Sequence, residues 1–491
     1  MILTNINRMG KRLGVFTALM FWVFGGLQAQ NTNTEVAITL NQAIEMALAN
    51  NPQINRALLA IDDADELVNI ARSEVYPDIS SSINFTRNIE AAPQFLPNGL
   101  LQLFNAGDPS KPNDALLPVN FTQENNWQGG FSVVQNLFKG EALVALKSSA
   151  VYRKVQEEAY RSTSQQVITQ TRVAYYAVLA AQEQLRLANA QIRRLETNLS
   201  ENEARAKAGI VDDYAVLQLK VQLSNQKPQQ IEAKYAVEKA YRELKVIIGI
   251  PISFDLSVKG NLNEFDILSD TVKDPVNSDL KQIDQMNPYT FTNTVIDSAS
   301  LAENRGDVRV TEAQLRLKDK EILAVKSRFL PTLTASYNLQ WFSQESGSPT
   351  FFEESNRIQT LGVNLNLPIF QGFSRTSELD RQKIQYKDIE EQKRMTILMA
   401  QNEVASASEE LDKIFETASA RKQALEQASI GYDRAKKRLE NGLGSQLELT
   451  EAEIQVREAE VNYAIMVFNY LTAKANYDMA TGMVPFVDTT N

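Results

Sequence analysis

The sequence predicts an α+β membrane protein in which long helical coiled-coil hairpins join four β-strands, the whole plan written twice along one chain. Three observations carry this. Apolar residues recur at heptad spacing through stretches without proline, as in the run after Gly372, which meets no further glycine until Gly431. Four shorter stretches alternate apolar and polar residues with the period of a strand. Motifs of the first half reappear in the second at nearly constant offsets.

Composition sets the outer limits. The chain has 491 residues, 43% apolar and 22% charged, which is enough for two or three folded domains. Its net charge of −10 argues against nucleic acid as a partner. It has no Cys and no His, so disulfides, thiol chemistry, the lipoprotein attachment cysteine and the commonest general base are all absent. No catalytic, cofactor-binding or metal-ligating residues are therefore assigned, and the chain is not read as an enzyme. Residues 1–29 read as a signal peptide: Arg8, Lys11 and Arg12 are the basic end, Leu13 to Leu27 the apolar run, and Ala29 the last residue removed. The rival reading, a single membrane anchor, needs a longer run than this one.

Residues 30–250 form the first repeat. Thr39 is placed to cap a helix on which Leu40, Ile44, Ala47 and Leu48 share one face, ending at Asn51-Pro52. A second helical segment leads to Tyr76-Pro77. Beyond it Ile79, Ile83 and Phe85 alternate with Ser80, Ser82, Asn84 and Thr86, and Trp127 to Phe138 is the returning strand, giving a β-hairpin at about 78–138. The Pro-, Asn- and Gly-rich loop from Ala91 to Asn126 is expected to be irregular. A helical hairpin follows at about 140–249, uninterrupted to Gly209 and then running to Gly249, with Pro228 expected to kink its second arm. Residues 251–300, with scattered Gly, Asp, Asn and Pro, read as a small mixed element packed outside the helices at the equator, without a second copy.

Residues 301–484 repeat the plan. Pro77 and Pro331 lie 254 residues apart, and each precedes a switch from helical to strand period. Leu333, Ala335, Tyr337, Leu339 and Trp341 alternate with polar residues, as do Leu361, Val363, Leu365, Leu367 and Ile369, so the second β-hairpin spans about 331–370. Phe138-Lys139-Gly140 matches Phe370-Gln371-Gly372 at an offset of 232, which assigns 22 extra residues to the first hairpin's loop. The second helical hairpin spans about 372–482. Leu411, Ile414, Ala418, Arg421, Leu425, Ala428, Tyr432, Ala435 and Leu439 step by threes and fours along its first arm, with Arg421 the one charged member, and Leu447, Ile454, Val461 and Phe468 by sevens along its second. Between the arms, Asn441-Gly442-Leu443-Gly444 ends one helix, and Ser445 with Glu448 reads as a capping box opening the next. Residues 485–491 are a C-terminal tail. From Gly372 to Gly442 is about 105 Å of helix. A hairpin that long and thin cannot bury its own apolar seam and needs neighbours.

On pattern alone the strands suit either a membrane barrel or a soluble sandwich with one wet face. Trp127 and Trp341 fall at one height on their strands, as in an aromatic girdle at a membrane interface. The chain carries an export signal. Four strands cannot close a barrel, since about eight is the practical minimum, so several chains would have to contribute.

The duplicated plan, the Leu40 to Pro52 opening, the Pro77 and Pro331 junctions and the Arg-x-x-x-Gly helix tips together resemble the TolC-type outer-membrane efflux proteins. The resemblance covers about Val36 to Val484. It implies a homotrimer in the outer membrane of a bacterial cell: a twelve-stranded barrel in lipid, four strands per chain, continuous with a twelve-helix periplasmic tunnel. It implies the exit duct of a tripartite efflux or type I secretion system. The partners would be a periplasmic adaptor (membrane fusion) protein and an inner-membrane transporter of the RND or ABC class. Two departures stand out: Gly306 takes the place of a proline, and the closed-entrance lock of the best-known member would fall on Leu439 and Gly444, which cannot form it.

Two groups of residues become candidate sites. Arg205, Gly209 and Ile210, with Arg438, Gly442 and Leu443, mark the two helix tips; a left-handed glycine stop with arginine near the C-terminus accounts for part of this pattern, and the resemblance adds adaptor docking. Glu448 and Glu451 lie three apart just past the second tip, where the resemblance places an acidic constriction of the periplasmic entrance. The loops Ala91–Asn126 and Phe342–Arg357 would then lie at the cell surface. The competing function is a soluble periplasmic coiled-coil scaffold or adhesin.

Overall fold

The computed structural model of the chain describes residues 36–90, 93–120, 123–265, 298–347 and 355–484. The expected signal peptide, the C-terminal tail and residues 266–297 of the mixed element lie outside the described residues. The chain divides into two compact units, one built from residues 52–167, 291–409 and 476–491 and the other from residues 1–51, 168–290 and 410–475.

The first unit holds a four-stranded antiparallel sheet in the order β2 (Asp78–Arg87), β5 (Asn125–Phe138), β7 (Thr332–Glu345) and β8 (Asn356–Asn366). The register largely sorts its two faces, with Gln359 and Arg357 opposite Leu339 and Trp341 on the apolar one and Val134 opposite Ser336 on the polar one. Phe85 pairs with Trp127, Phe131 with Leu339, Val133 with Tyr337, and Leu333 with Leu365. These pairs form one apolar face, while Ser132 with Asn338 and Thr334 with Asn364 lie on the other. From Leu333 to Trp341 the apolar face extends about 27 Å along the strand, close to the ~25 Å outward band of membrane barrels. Every residue of β2 and of β8 is exposed, and within the chain each of these strands pairs on one side only.

The long insertion departs from its expected irregularity. It folds as β3 (Gln94–Pro97), α3 (Asn98–Gln102) and β4 (Leu116–Val119), with β3 and β4 antiparallel. The reason is one fully buried amide. Asn98 donates through Nδ2 to the carbonyls of Asp108 and Lys111, both at 2.8 Å, and its Oδ1 accepts from the Asp108 amide at 2.7 Å. A single asparagine inside a Gly- and Pro-rich run carries no periodicity, so pattern reading misses it.

The helices of this unit include α2 (Pro52–Ser73), the first part of α4 (Gly140–Lys207), the short α6 (Ser298–Asn304), α7 (Gly306–Ser327) and the first part of α8 (Ser374–Glu440). Within this unit α2 and α7 are tied to α4 by Arg153 to Asp65 at 2.6 Å, Arg309 to Glu158 at 2.5 Å and Arg328 to Glu141 at 2.5 Å, and Lys318 donates to Gln385 of α8 at 2.6 Å. Here the substitution of Gly306 for proline finds its cause. A Cβ on Gly306 would stand 2.5 Å from the Cα of Ser162, so the backbones touch and only glycine fits.

The second unit contains α1 (Leu40–Asn50), α5 (Asp213–Ile247), most of α9 (Gln446–Thr481), the remaining lengths of α4 and α8, and a parallel pair of β1 (Val36–Ile38) with β6 (Leu256–Val258). Thr39 and Gln42 form a complete capping box on α1. Its buried face is Leu40, Ala43 and Ala47, rotated from the expected Ile44 and Leu48, which are half-buried. The Tyr175 hydroxyl donates to the Lys259 carbonyl at 2.5 Å, fastening the β1–β6 pair to α4. Helix α5 continues through Pro228 without ending. The seven-spaced seam of α9 is left uncovered at its start, as expected of a hairpin that needs neighbours: Leu447 and Ile454 are exposed, and the chain's own core takes Leu449, Val456, Val467 and Leu471.

The duplication persists in hydrogen bonds. Asn51 donates to the Ile247 carbonyl at 2.7 Å, and Arg305, 254 residues on, donates to the Ala480 carbonyl at 3.1 Å. In each copy a left-handed glycine ends the second arm there. A Cβ on Gly249 would meet the Asn50 carbonyl oxygen at 2.5 Å, and one on Gly482 the Asn304 carbonyl carbon at 2.6 Å.

Candidate functional site at the helix tips

Both long helices end in the same way. At the first tip the Ile210 amide donates to the Arg205 carbonyl at 2.9 Å and the Gly209 amide to the Ala206 carbonyl at 2.9 Å, with Gly209 at φ 68. At the second, Leu443 donates to Arg438 at 2.8 Å and Gly442 to Leu439 at 3.1 Å, with Gly442 at φ 72. These are Schellman stops, which satisfy carbonyls that a helix end leaves open. In such stops the residue after the glycine usually folds back onto the helix. Here it does not: Ile210 and Leu443 are 73% and 72% exposed. Two apolar side chains are thus presented to solvent at matched positions.

The second tip is also cross-tied. Arg438 donates to the Leu443 carbonyl at 3.1 Å, and its Nε lies 3.6 Å from the Glu448 carboxylate. The expected capping box is half present. Ser445 Oγ accepts from the Glu448 amide at 3.2 Å, while the Glu448 carboxylate turns toward Arg438. Glu451, one helical turn along the same face, is exposed. The first tip opens its return helix with Asp212, whose carboxylate accepts from the Tyr214 amide at 3.2 Å.

Just inside the tips lies a feature the sequence reading missed. Helices α4 and α9 meet through three polar layers: Asn202 with Gln446 at 3.2 Å, Asn198 with Glu453, and Arg194 with Glu460 at 3.0 Å. The Arg194 guanidinium also lies 6.0 Å from the Tyr432 ring centre on α8. Glu453 is 1% exposed, and burial pushes its carboxyl above the ordinary range despite the Asn198 hydrogen bond and the Arg194 charge. The signal was present as spacing: 446, 453 and 460 step by sevens and 194, 198 and 202 by fours. A search for apolar seams passes over it.

In the sheet, Trp127 pairs with Ser343 and Trp341 with Gly129, so the two indoles lie two residues apart on neighbouring strands of the apolar face. Phe85 packs on Trp127 with ring centres 4.2 Å apart, and Phe131 meets Trp341 edge-on at 6.4 Å. Among the described residues no helix is long and apolar enough to cross a membrane, and no group of three or more acidic side chains is placed to hold a metal ion.

Comparison with known proteins agrees with this architecture. Residues 43–250 and 298–482 match the family described as outer membrane efflux protein. The chain is 22% identical to the alkaline protease secretion protein AprF of Pseudomonas aeruginosa, over 96% of this chain and 90% of that one. It is 23% identical to the outer membrane protein TolC of Escherichia coli, over 96% and 87%. Its fold overlays the outer membrane channel CmeC of Campylobacter jejuni with a TM-score of 0.69 at 18% identity, covering 93% of this chain and 90% of that one. The family match embraces both repeats and stops at the unduplicated element between them, so the chain belongs to the outer membrane efflux protein family.

Proposed function

We propose that three copies of this chain assemble into the exit duct of a tripartite efflux or type I secretion system. The observation that carries this is the sheet. It has one mostly apolar face, one mostly polar face and two strands, β2 and β8, with an open edge each. Apolar surface beside open strand edges is stable in lipid only when the sheet closes on itself. Four strands are too few to close, and three copies give twelve. The exposed Leu447 and Ile454 supply the helices with a second apolar seam for neighbouring copies.

In this reading the polar sheet face lines the duct and the helical tips point into the periplasm. A periplasmic adaptor binds at Ile210 and Leu443, positioned by the glycine stops at Gly209 and Gly442 and by Arg205 and Arg438. It connects the duct to an inner-membrane pump of the RND or ABC class. Glu448 and Glu451 from three copies converge at the entrance. Trp127 and Trp341 mark the cell-surface side of the lipid, beneath the β3–α3–β4 insertion. Mass measurement of the detergent-extracted protein is expected to return three copies, and a stable folded monomer would overturn the reading.

A further inference from the structure

The β8–α8 junction carries apolar and cationic groups that neither the duct nor the tips require. The alternation of β8 does not stop with the strand. Leu361, Val363 and Leu365 on the apolar face are followed at the same spacing by Leu367 and by Ile369, which is 89% exposed. Phe370 and Phe373, 70% and 73% exposed, come next, their rings edge to face at 5.4 Å. Gly372 and Phe373 are both left-handed, at φ 57 and φ 64. For glycine this is free; for a bulky side chain it is strained. A Cβ at Gly372 would meet nothing within 4 Å, so the turn stands in open space. The first copy lacks it, because Gly140, the counterpart of Gly372, is already the first residue of α4.

The cation is Arg375. Its guanidinium lies 5.3 Å from the Phe329 ring centre and donates to the carbonyls of Arg328 at 3.2 Å and Pro368 at 2.9 Å. Its neighbours are neutralised: Arg328 by Glu141 at 2.5 Å, Lys139 by Glu74 at 2.7 Å and Arg381 by Glu378 at 2.8 Å. Among the described residues no carboxylate lies within salt-bridge reach of Arg375. Two of its five N–H donors are engaged, and the others remain for an anion that accepts in a fork.

We propose that this junction anchors the protein to a phospholipid of the periplasmic leaflet, Phe370 and Phe373 seating among the acyl chains and Arg375 binding the headgroup phosphate. Aromatic rings beside an arginine are the side chains that membrane interfaces favour, and the apolar residues here continue the lipid-facing sheet face. The strained Phe373 backbone is what brings its ring alongside Phe370. The inference rests on the barrel reading, yet it can fail alone, since three copies would assemble with or without a bound lipid.

The test uses the full detergent-extracted protein, a short-chain phosphatidylglycerol as probe, and inorganic phosphate as the arm for a free anion. Phosphatidylglycerol is expected to raise the melting temperature of the wild type, and phosphate at equal concentration to leave it unchanged. Arg375→Gln is expected to weaken the lipid response at least tenfold in concentration. Phe373→Gly relieves the left-handed strain, so it is expected to melt higher than wild type without lipid and to respond less to it. Equal lipid responses in all three proteins would overturn the proposal. So would a Phe373→Gly variant that loses copies in lipid-free detergent, because that places Phe373 against a neighbouring subunit.

Discussion

Gly306 and Ser162 meet backbone to backbone, with 2.5 Å between the Ser162 Cα and the place a Gly306 Cβ would occupy. The contact pins the start of α7 to α4 in the sheet-bearing unit. Gly306→Ala must push the two apart, and overpacking of this kind costs about 1–3 kcal/mol. Gly209→Ala is the comparison, because nothing lies within 4 Å of its Cβ position and only its left-handed φ of 68 opposes the change, a cost of roughly 1–2 kcal/mol. Melting curves of the detergent-extracted proteins separate them. Gly306→Pro is expected to be worse than Gly306→Ala despite restoring the residue the repeat plan calls for.

Glu453 makes stability depend on pH. Its carboxyl is held above the ordinary value of 4.5, mainly by burial. A raised carboxyl means that the unfolded chain releases this proton at a lower pH than the folded one. The contribution is therefore fully present below about pH 4.5 and is lost as pH rises through the folded value. Arg194 and Asn198 moderate the loss without removing it. Glu453→Gln keeps a partner for Asn198 and has no charge to bury. It is expected to melt higher than wild type at pH 8 and close to wild type at pH 4, and equal differences at both pH values would remove Glu453 from the account.

Ile210 and Leu443 stand too far into solvent to stabilise the chain that carries them. Ile210→Asp and Leu443→Asp are therefore expected to fold, reach the outer membrane and melt within about 0.5 kcal/mol of wild type, as exposed substitutions do. If the tips bind an adaptor, each change buries a charge in that contact and export falls at least tenfold. Cells carrying the double variant, scored for both surface assembly and export, supply the check. Full export would detach these residues from docking.

Much of this was legible in the chain. The period switches at Pro77 and Pro331 located the strands, because an extended backbone alternates faces whatever surrounds it. The glycine stops were legible because a left-handed residue at a helix end leaves few choices other than glycine. What escaped was polar and non-local. Asn98 organises the insertion through carbonyls ten or more residues away, and the Glu453–Asn198 layer joins residues 255 apart. Asn98 has no period of its own, and the layer's spacing is carried by polar residues, which a search for apolar seams does not count. The Leu447–Ile454 seam was legible as one that needs neighbours, but spacing reports that a face is apolar and not which neighbour covers it.

Glu448 and Glu451 differ in what already engages them, and that difference makes the entrance testable. Glu448 has its amide on Ser445 and its carboxylate 3.6 Å from Arg438, so part of its role is local. Glu451 is exposed on the same helix face. In a threefold assembly the two would place six carboxylates around one axis. A narrow ring of like charge attracts cations and resists anions, most strongly at low salt where screening is weak. The duct is therefore expected to be cation-selective in planar bilayers, and multivalent cations added on the side of the tips to block it. Glu451→Gln is expected to weaken both effects with little loss of assembly. Glu448→Gln is a mixed test, because it also frees Arg438 to change position. Unchanged selectivity and block in the double variant would leave both residues as helix-start glutamates, with Arg438 as the only partner that matters.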